Sequence, residues 1–259
     1  MKINIRIILK KIPIVRRIYN SLAVRLLKLL NINNFLMSFM DIKFNLNINE
    51  PIDKSIILFN EYENKQINSV INLISKYQVS TFFDVGAHCG IYSLIIGKKF
   101  NNIEVHSFEP IKSSFLKLKK NISLNEEVQN IKTYNFGLSN LNTNLKMKAY
   151  KKNDYIQLGG FGVINRGDNL QNNFVSEATF KKGDDFFKFK NTTIFLKVDV
   201  EGHEINVLDG ISKLIENNNT IIQVEILPGK YALVKKKLLE MNFKEIDKIN
   251  FDYYFVKTI

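Results

Sequence analysis

The stretch FFDVGAHCG, Phe82 to Gly90, reads as a short buried strand that carries an acid at Asp84, turns on Gly86 and opens a helix at Gly90. Glycine suits such a turn where φ is positive or where a bulky ligand must approach the backbone. A dinucleotide fingerprint would place a further glycine at position 88, and His88 stands there instead, which argues against a nicotinamide or flavin dinucleotide. Working outward, Ile67, Val70, Ile71 and Ile74 in the upstream segment 64–77 fall at helical spacing. Downstream, short apolar runs alternate with amphipathic ones. The pattern predicts strands over 81–85, 103–109, 131–136, 194–199 and 220–226, helices over 91–99, 113–124, 205–215 and 234–241, and closing strands over 244–247 and 252–256. Apolar strands separated by amphipathic helices specify a mostly parallel sheet covered on both faces, so the expected fold is α/β and doubly wound. Ligands of such sheets bind outside the carboxyl ends of the strands, near the point where strand order reverses. The polar residues at those ends are Asp84, Glu109, Asn135, Asp199 and Glu225.

Two further constellations carry chemistry. Glu109, in VHSFEP, closes the strand after Asp84, where a carboxylate can accept hydrogen bonds from both hydroxyls of a ribose. Its plainer reading is a solvated glutamate ahead of the next helix. The segment LKVDVEGHE, Leu196 to Glu204, delivers Asp199 to a strand end and follows it with Glu201 and His203 around Gly202. Ionisable groups so close perturb one another's pKa values, and a site obtains a base usable near neutral pH in that way. Helix capping accounts for Glu204, but not for an acid at the end of a buried strand.

FFDVGAHCG, the SFEP segment, NFGLSN at 135–140 and above all KVDVEGHEINVLDG at 197–210 resemble the FkbM family of methyltransferases. FNEYENKQI upstream and GDDF before the fourth strand fit the same layout, and the resemblance covers about residues 59–226. It implies a seven-stranded, Rossmann-like class I methyltransferase fold with S-adenosylmethionine as methyl donor. The implied acceptors are hydroxyls of sugars or secondary metabolites, as small molecules or glycans, with a place in cell-surface polysaccharide or glycolipid biosynthesis. By the same resemblance Asp84 steers the donor's amine, and Gly86, Ala87 and Gly90 shape its methionine pocket. Glu109 holds the ribose, while Asn135, Phe136 and Gly137 border the adenine. Asp199, Glu201 and His203 face the reacting centre, as bases or as partners of a divalent cation held with Glu225; without a dedicated ligand cage in the sequence, no metal is expected. A glycosyltransferase using Asp199–Glu201 as a metal-and-nucleotide motif, or a binding module without activity, are the alternatives. The first leaves FFDVGAHCG unexplained.

Composition narrows the rest. The 259 residues allow one large core with an appendage, and the single cysteine, Cys89, excludes a disulfide framework and a multi-cysteine metal site. The net charge is +12, but Lys2, Arg6, Lys10, Lys11, Arg16, Arg17, Arg25 and Lys28 precede the first acid, Asp41. Subtracting those eight leaves +4, so the charge is not spread as a nucleic-acid footprint, and no nucleic-acid partner is expected. The sequence divides into a basic extension, 1–31, and a catalytic domain, 32–259. Within the extension Val15, Ile18, Leu22, Leu26 and Leu29 share one helical face and Arg17, Ser21, Arg25 and Lys28 another. Such a helix lies in a membrane interface or packs on the domain; a mitochondrial presequence has a similar pattern. The sequence shows neither the uninterrupted apolar stretch of a secretory signal nor a bilayer span, and the chain is expected to be cytoplasmic, at the inner face of the membrane if the helix binds lipid. Residues 32–60 are expected to be strand and loop, and 153–177 a lid.

Overall fold

The computed structural model describes residues 13–152, 155–156, 160–164, 168, 170–171 and 173–259. The cations before Pro13 and much of the expected lid lie outside the described residues. The chain forms two compact units, 1–63 and 64–259.

The first unit contains helix α1 (Pro13–Leu29), strands β1 (Asn34–Phe39) and β2 (Ile42–Asn47), and helix α2 (Pro51–Phe59). The two strands form an antiparallel hairpin that turns through Met40 and Asp41, at φ 48° and 63°. Two left-handed residues make the turn whose twist matches that of paired strands. Helix α2 occupies a segment where the pattern predicts only strand and loop. Pro51 begins it rather than breaking it, because a proline in the first turn forfeits no helical hydrogen bond. Asp53 on that turn accepts the Asn47 N–H at 2.7 Å, and Asn60 ends the helix in the left-handed conformation.

The second unit opens with helix α3 (Asn64–Tyr77), then β3 (Thr81–Val85), α4 (Ile91–Lys99), β4 (Glu104–Phe108), α5 (Lys112–Ser123) and β5 (Ile131–Tyr134). Short β6 (Gly137–Ser139), long β7 (Thr143–Lys152), β8 (Tyr155–Ile156), β9 (Gly162–Val163) and long β10 (Asn173–Lys182) follow. After one turn of helix, α6 (Gly183–Phe186), come β11 (Thr193–Val198), α7 (Glu204–Gly210), α8 (Ser212–Glu216), β12 (Asn219–Glu225), α9 (Tyr231–Glu240), β13 (Lys244–Ile249) and β14 (Asp252–Lys257). The large sheet has the order β13-β14-β12-β11-β3-β4-β5. Its five strands from β12 to β5 are parallel, and β14 and β13 close it antiparallel. This is the doubly wound α/β sheet the pattern predicts. The chain runs from β3 out to β5 and returns to β11 beside β3, so strand order reverses between β3 and β11.

Alternate residues of the strands serve opposite faces. Phe83, Val85, Leu196, Val198, Ile222 and Val224 pack on α7, α8 and α9 through Val207, Leu208, Leu214, Val234 and Leu238. The other face carries Asp84, Ser107, Lys197 and Gln223, all buried, under α3 and α4. A second sheet, β6-β10-β7-β8 with β9 on β7, rests on the residue after the β4 loop: Ile111 shares a small core with Met147, Ala149, Phe161, Ala178 and Phe180. The expected helix over 205–215 is two helices, broken at Ile211. Residues 173–177, expected in the lid, belong to β10.

Candidate functional site

The site forms where β3 and β11 end. After β3 the chain turns through Gly86, His88 and Gly90, at φ 87°, 47° and 84°. The Phe108 carbonyl at the end of β4 holds this turn by accepting the N–H groups of Gly86 and Ala87 at 3.0 and 2.9 Å. A Cβ on Gly86 would lie 1.9 Å from the Asp199 carbonyl oxygen, and one on Gly90 2.3 Å from Leu118 of α5. The glycines are therefore demanded by positive φ and by the close approach of neighbouring chain.

Asp84 is buried on β3. Its Oδ2 accepts the Ser93 N–H at 3.1 Å and the Ser93 hydroxyl at 2.6 Å, and Ser93 in turn meets Ser107 at 2.7 Å. Burial pushes its pKa up, against the pull of Lys197. Its Oδ1 and the Nε2 of His88 are buried with no hydrogen-bond partner among the described residues. Burial, with Lys117 nearby, holds His88 down to about 3, so its ring is neutral.

Glu109 is stitched into both neighbouring loops: one oxygen accepts the His88 N–H at 2.9 Å and the other the Ile111 N–H at 2.8 Å. Burial raises its pKa to about 7 in spite of those two bonds. Asn135 stands beside it, with its amide donating to the carbonyls of Glu109 and Pro110 at 2.9 and 3.2 Å. Asp84, Gly86, Ala87, Gly90, Glu109 and Asn135 thus share one edge of the sheet. Phe136 and Gly137 follow Asn135 directly. Phe136 packs among Phe108, Tyr134 and Phe186, and Gly137 lies under the Phe180 ring, where a Cβ would come within 2.4 Å.

On β11, Lys197 and Asp199 form an ion pair at 3.1 Å, with Lys197 also over the Tyr92 ring. The lysine side chain is 5% exposed and the aspartate 24%. Burial alone would raise Asp199, but Lys197 and a hydrogen bond to Glu225 keep it below the usual carboxylate range. Glu225 at the end of β12 is pushed up to about 9, by burial and then by the charge of Asp199, so it is the protonated partner of that bond. Lys197 has no place among the residues singled out from the sequence. A lysine inside the apolar run IFLKV was its signal, since a charge at such a position is buried and needs a counter-ion.

Glu201 follows in the left-handed conformation at φ 51° and is half-buried. Burial, then the charges of Asp199 and Glu204, raise it to about 7. His203 turns the other way. Its Nε2 meets the Ser139 hydroxyl at 2.9 Å, its ring lies edge-on to Phe180, and burial with Lys230 nearby lowers it to about 4. It is a neutral wedge between β6 and α7. Among the described residues no three histidine, cysteine or carboxylate side chains converge as a metal-ligand set.

Several solved methyltransferases are similar in structure. A human methyltransferase 10 domain containing protein is 10% identical, covering 93% of this chain and 94% of its own, at a TM-score of 0.47. A ribosomal protein L11 methylase from Lactobacillus delbrueckii subsp. bulgaricus is 17% identical over 76% and 80%, at 0.43. An rRNA methylase from Streptococcus thermophilus is 10% identical over 76% and 96%, at 0.42. No curated protein matches the chain. Residues 84–254 match the model of the methyltransferase FkbM domain, a span that runs from the acid of β3 to the closing strand β14 and includes every site residue named above. The glycosyltransferase alternative falls with that match, and the chain belongs to the FkbM family of methyltransferases.

Proposed function

We propose that the protein is an S-adenosylmethionine-dependent O-methyltransferase that acts on a hydroxyl of a carbohydrate or glycan-like acceptor, with Glu201 as the base. When bound, S-adenosylmethionine supplies a methyl group on a sulfonium sulfur that departs with the bonding pair. The β3–β11 edge fits this donor in two respects. Asp84 Oδ1 and His88 Nε2 are buried polar atoms in want of a partner at the glycine turn. Glu109, after its two backbone bonds, keeps acceptor capacity for a pair of ribose hydroxyls, because an ionised carboxylate offers about four lone-pair sites.

The observation that carries the acceptor side is the contrast among the three residues after β11. Asp199 is held ionised by Lys197 and is a weak base; His203 is neutral with its Nε2 already engaged. Glu201, half-buried and raised to about 7, has the affinity for a proton that a base working near neutral pH requires. A neutral hydroxyl is a poor nucleophile, so a group that takes its proton contributes roughly 10² to 10⁴-fold. The carbohydrate acceptor rests on the family's usual acceptors.

The test pairs binding with turnover. S-adenosylhomocysteine should raise the melting temperature, and labelled methyl should appear on hydroxyl-bearing glycan acceptors. Glu201→Gln should cut turnover about 100-fold or more, abolish the rise of kcat with pH through about 7, and leave S-adenosylhomocysteine affinity within a few-fold. Methylation of amines alone, or a Glu201→Gln enzyme of full activity, overturns the reading.

A further inference from the structure

We propose that helix α1 is a docking surface for an anionic lipid bilayer. In the described residues this helix has three distinct sides. Arg16, Asn20, Ala23, Val24 and Leu27 form the half-buried side. It is anchored within its own unit by polar and aromatic contacts: Arg16 pairs with Glu61 at 3.2 Å and lies 4.2 Å over the Phe59 ring, beside Tyr19. The strongest apolar stripe is turned outward. Ile14, Ile18, Leu22, Leu26 and Leu29, one per turn, are 72%, 54%, 60%, 57% and 81% exposed. Arg17 and Arg25 flank this stripe, Lys28 follows three residues later in sequence, and Lys2, Arg6, Lys10 and Lys11 precede it, with no acid before Asp41.

A helix that only covers a core turns its leucines toward that core. Here the docked side holds Arg16 and Asn20 beside the apolar residues Ala23, Val24 and Leu27, while Ile14, Ile18, Leu22, Leu26 and Leu29 face out, so the sequence pattern serves a second surface. The chemistry of that surface follows from charge. A protein partner with an apolar groove would suffice for the leucines but leaves the uninterrupted basic run unmatched. Lipid acyl chains beneath anionic headgroups match both, since the stripe enters the acyl boundary as the flanking cations meet phosphate oxygens. No helix among the described residues is long and apolar enough to cross a membrane, so the contact is peripheral.

The full chain should be sedimented with vesicles of phosphatidylcholine containing phosphatidylglycerol, with pure phosphatidylcholine vesicles in parallel. Wild type should bind the anionic vesicles at low salt, bind them less at higher salt, and bind the neutral ones weakly. Leu22→Asp with Leu26→Asp should weaken partitioning about tenfold or more. Arg17→Gln with Arg25→Gln should weaken it about fivefold per cation at low salt and reduce the salt dependence. Both pairs change exposed side chains and should keep the circular dichroism spectrum and S-adenosylhomocysteine binding of the wild type. Equal binding to both vesicle types, sedimentation that neither pair alters, or no sedimentation at all overturns the proposal. So does a concentration-dependent dimer that Leu22→Asp with Leu26→Asp dissolves, which would make a second copy the occupant.

Discussion

The Glu109 carboxylate accepts two backbone N–H groups, one from the β3–α4 loop and one from the β4–α5 loop, before it meets any ligand. A residue read from the sequence as a ribose acceptor is thus a clasp between the two loops of the proposed donor edge. Hydrogen bonds to a charged group contribute about 1.5–3 kcal/mol each, so Glu109→Ala should lower stability as well as donor affinity. The affinity should also depend on pH with a definite sign. Ribose hydroxyls bond better to the ionised carboxylate, so the donor-bound pKa lies below the value of about 7 in the free protein, and binding releases a proton. Affinity for S-adenosylhomocysteine should therefore rise with pH through the region just below about 7 and level off above it. Calorimetry in two buffers of different ionisation enthalpy reads the released proton. Glu109→Gln should bind at least about tenfold more weakly and lose the slope. A wild-type affinity flat across that window would remove Glu109 from the ribose role.

At the scale of elements, Gly210 at the end of α7 touches β6 so closely that a Cβ there would lie 1.9 Å from the Ser139 carbonyl oxygen. Helix propensity alone predicts that Gly210→Ala stabilises, by about 0.5–1 kcal/mol. Against it stands backbone that cannot turn aside, and overpacking costs about 1–3 kcal/mol or more, so the clash should win. Urea unfolding should show a lowered midpoint and, because α7 must move from β6, a weakened Ser139–His203 contact. A stabilised variant would mean that the two elements yield freely. The same contact explains what the sequence reveals and what it withholds. Strands buried on both faces, β3, β11 and β12, are short, mostly apolar runs legible as such in spite of Asp84, Lys197 and Gln223 within them, and the glycine turn follows from β3. The second sheet is legible only in part. Leu145, Met147 and Ala149 alternate with lysines at strand period, yet one face meets solvent and its partner β10 lies far along the chain. Helix α2 hides behind Pro51, which punctuates a loop as readily as it starts a helix. The direction of His203 could not be read from spacing, because it depends on Ser139 and Phe180, brought to it only by that second sheet.

Across the whole second unit, burial shifts two sets of groups in opposite senses, and their balance sets how stability follows pH. His88, His106 and His203 fall from the ordinary value of 6.5 to about 3, 4 and 4, chiefly through burial. Between about pH 4 and 6.5 the unfolded chain therefore holds more of their protons than the folded one, and stability rises with pH. Glu109 and Glu201 rise from 4.5 to about 7 and Glu225 to about 9, again with burial first. For these the folded state holds the extra protons. Their contribution is complete below about pH 4.5 and is lost as pH rises through the folded values. The two sets oppose each other up to about pH 6.5. Beyond it the histidines have finished titrating in both states, and the raised carboxyls remain, with Asp84, Glu204 and Asp252, also raised by burial, acting in the same sense as the three glutamates. Glu225, with the highest value, governs the range between about pH 7 and 9. Stability of the ligand-free protein should accordingly be nearly flat from about pH 5 to 6.5 and decline toward about pH 9. The decline should be on the order of 1–2 kcal/mol, or a Tm lower by about 2–4 °C for each kcal/mol. Glu225→Gln preserves a donor toward Asp199 in place of the protonated carboxyl and removes the titration, so its melting temperature should stay level between about pH 7 and 9. Scanning calorimetry of both proteins across that range decides the matter: a parallel decline in the variant would place the alkaline loss elsewhere than in the Asp199–Glu225 pair.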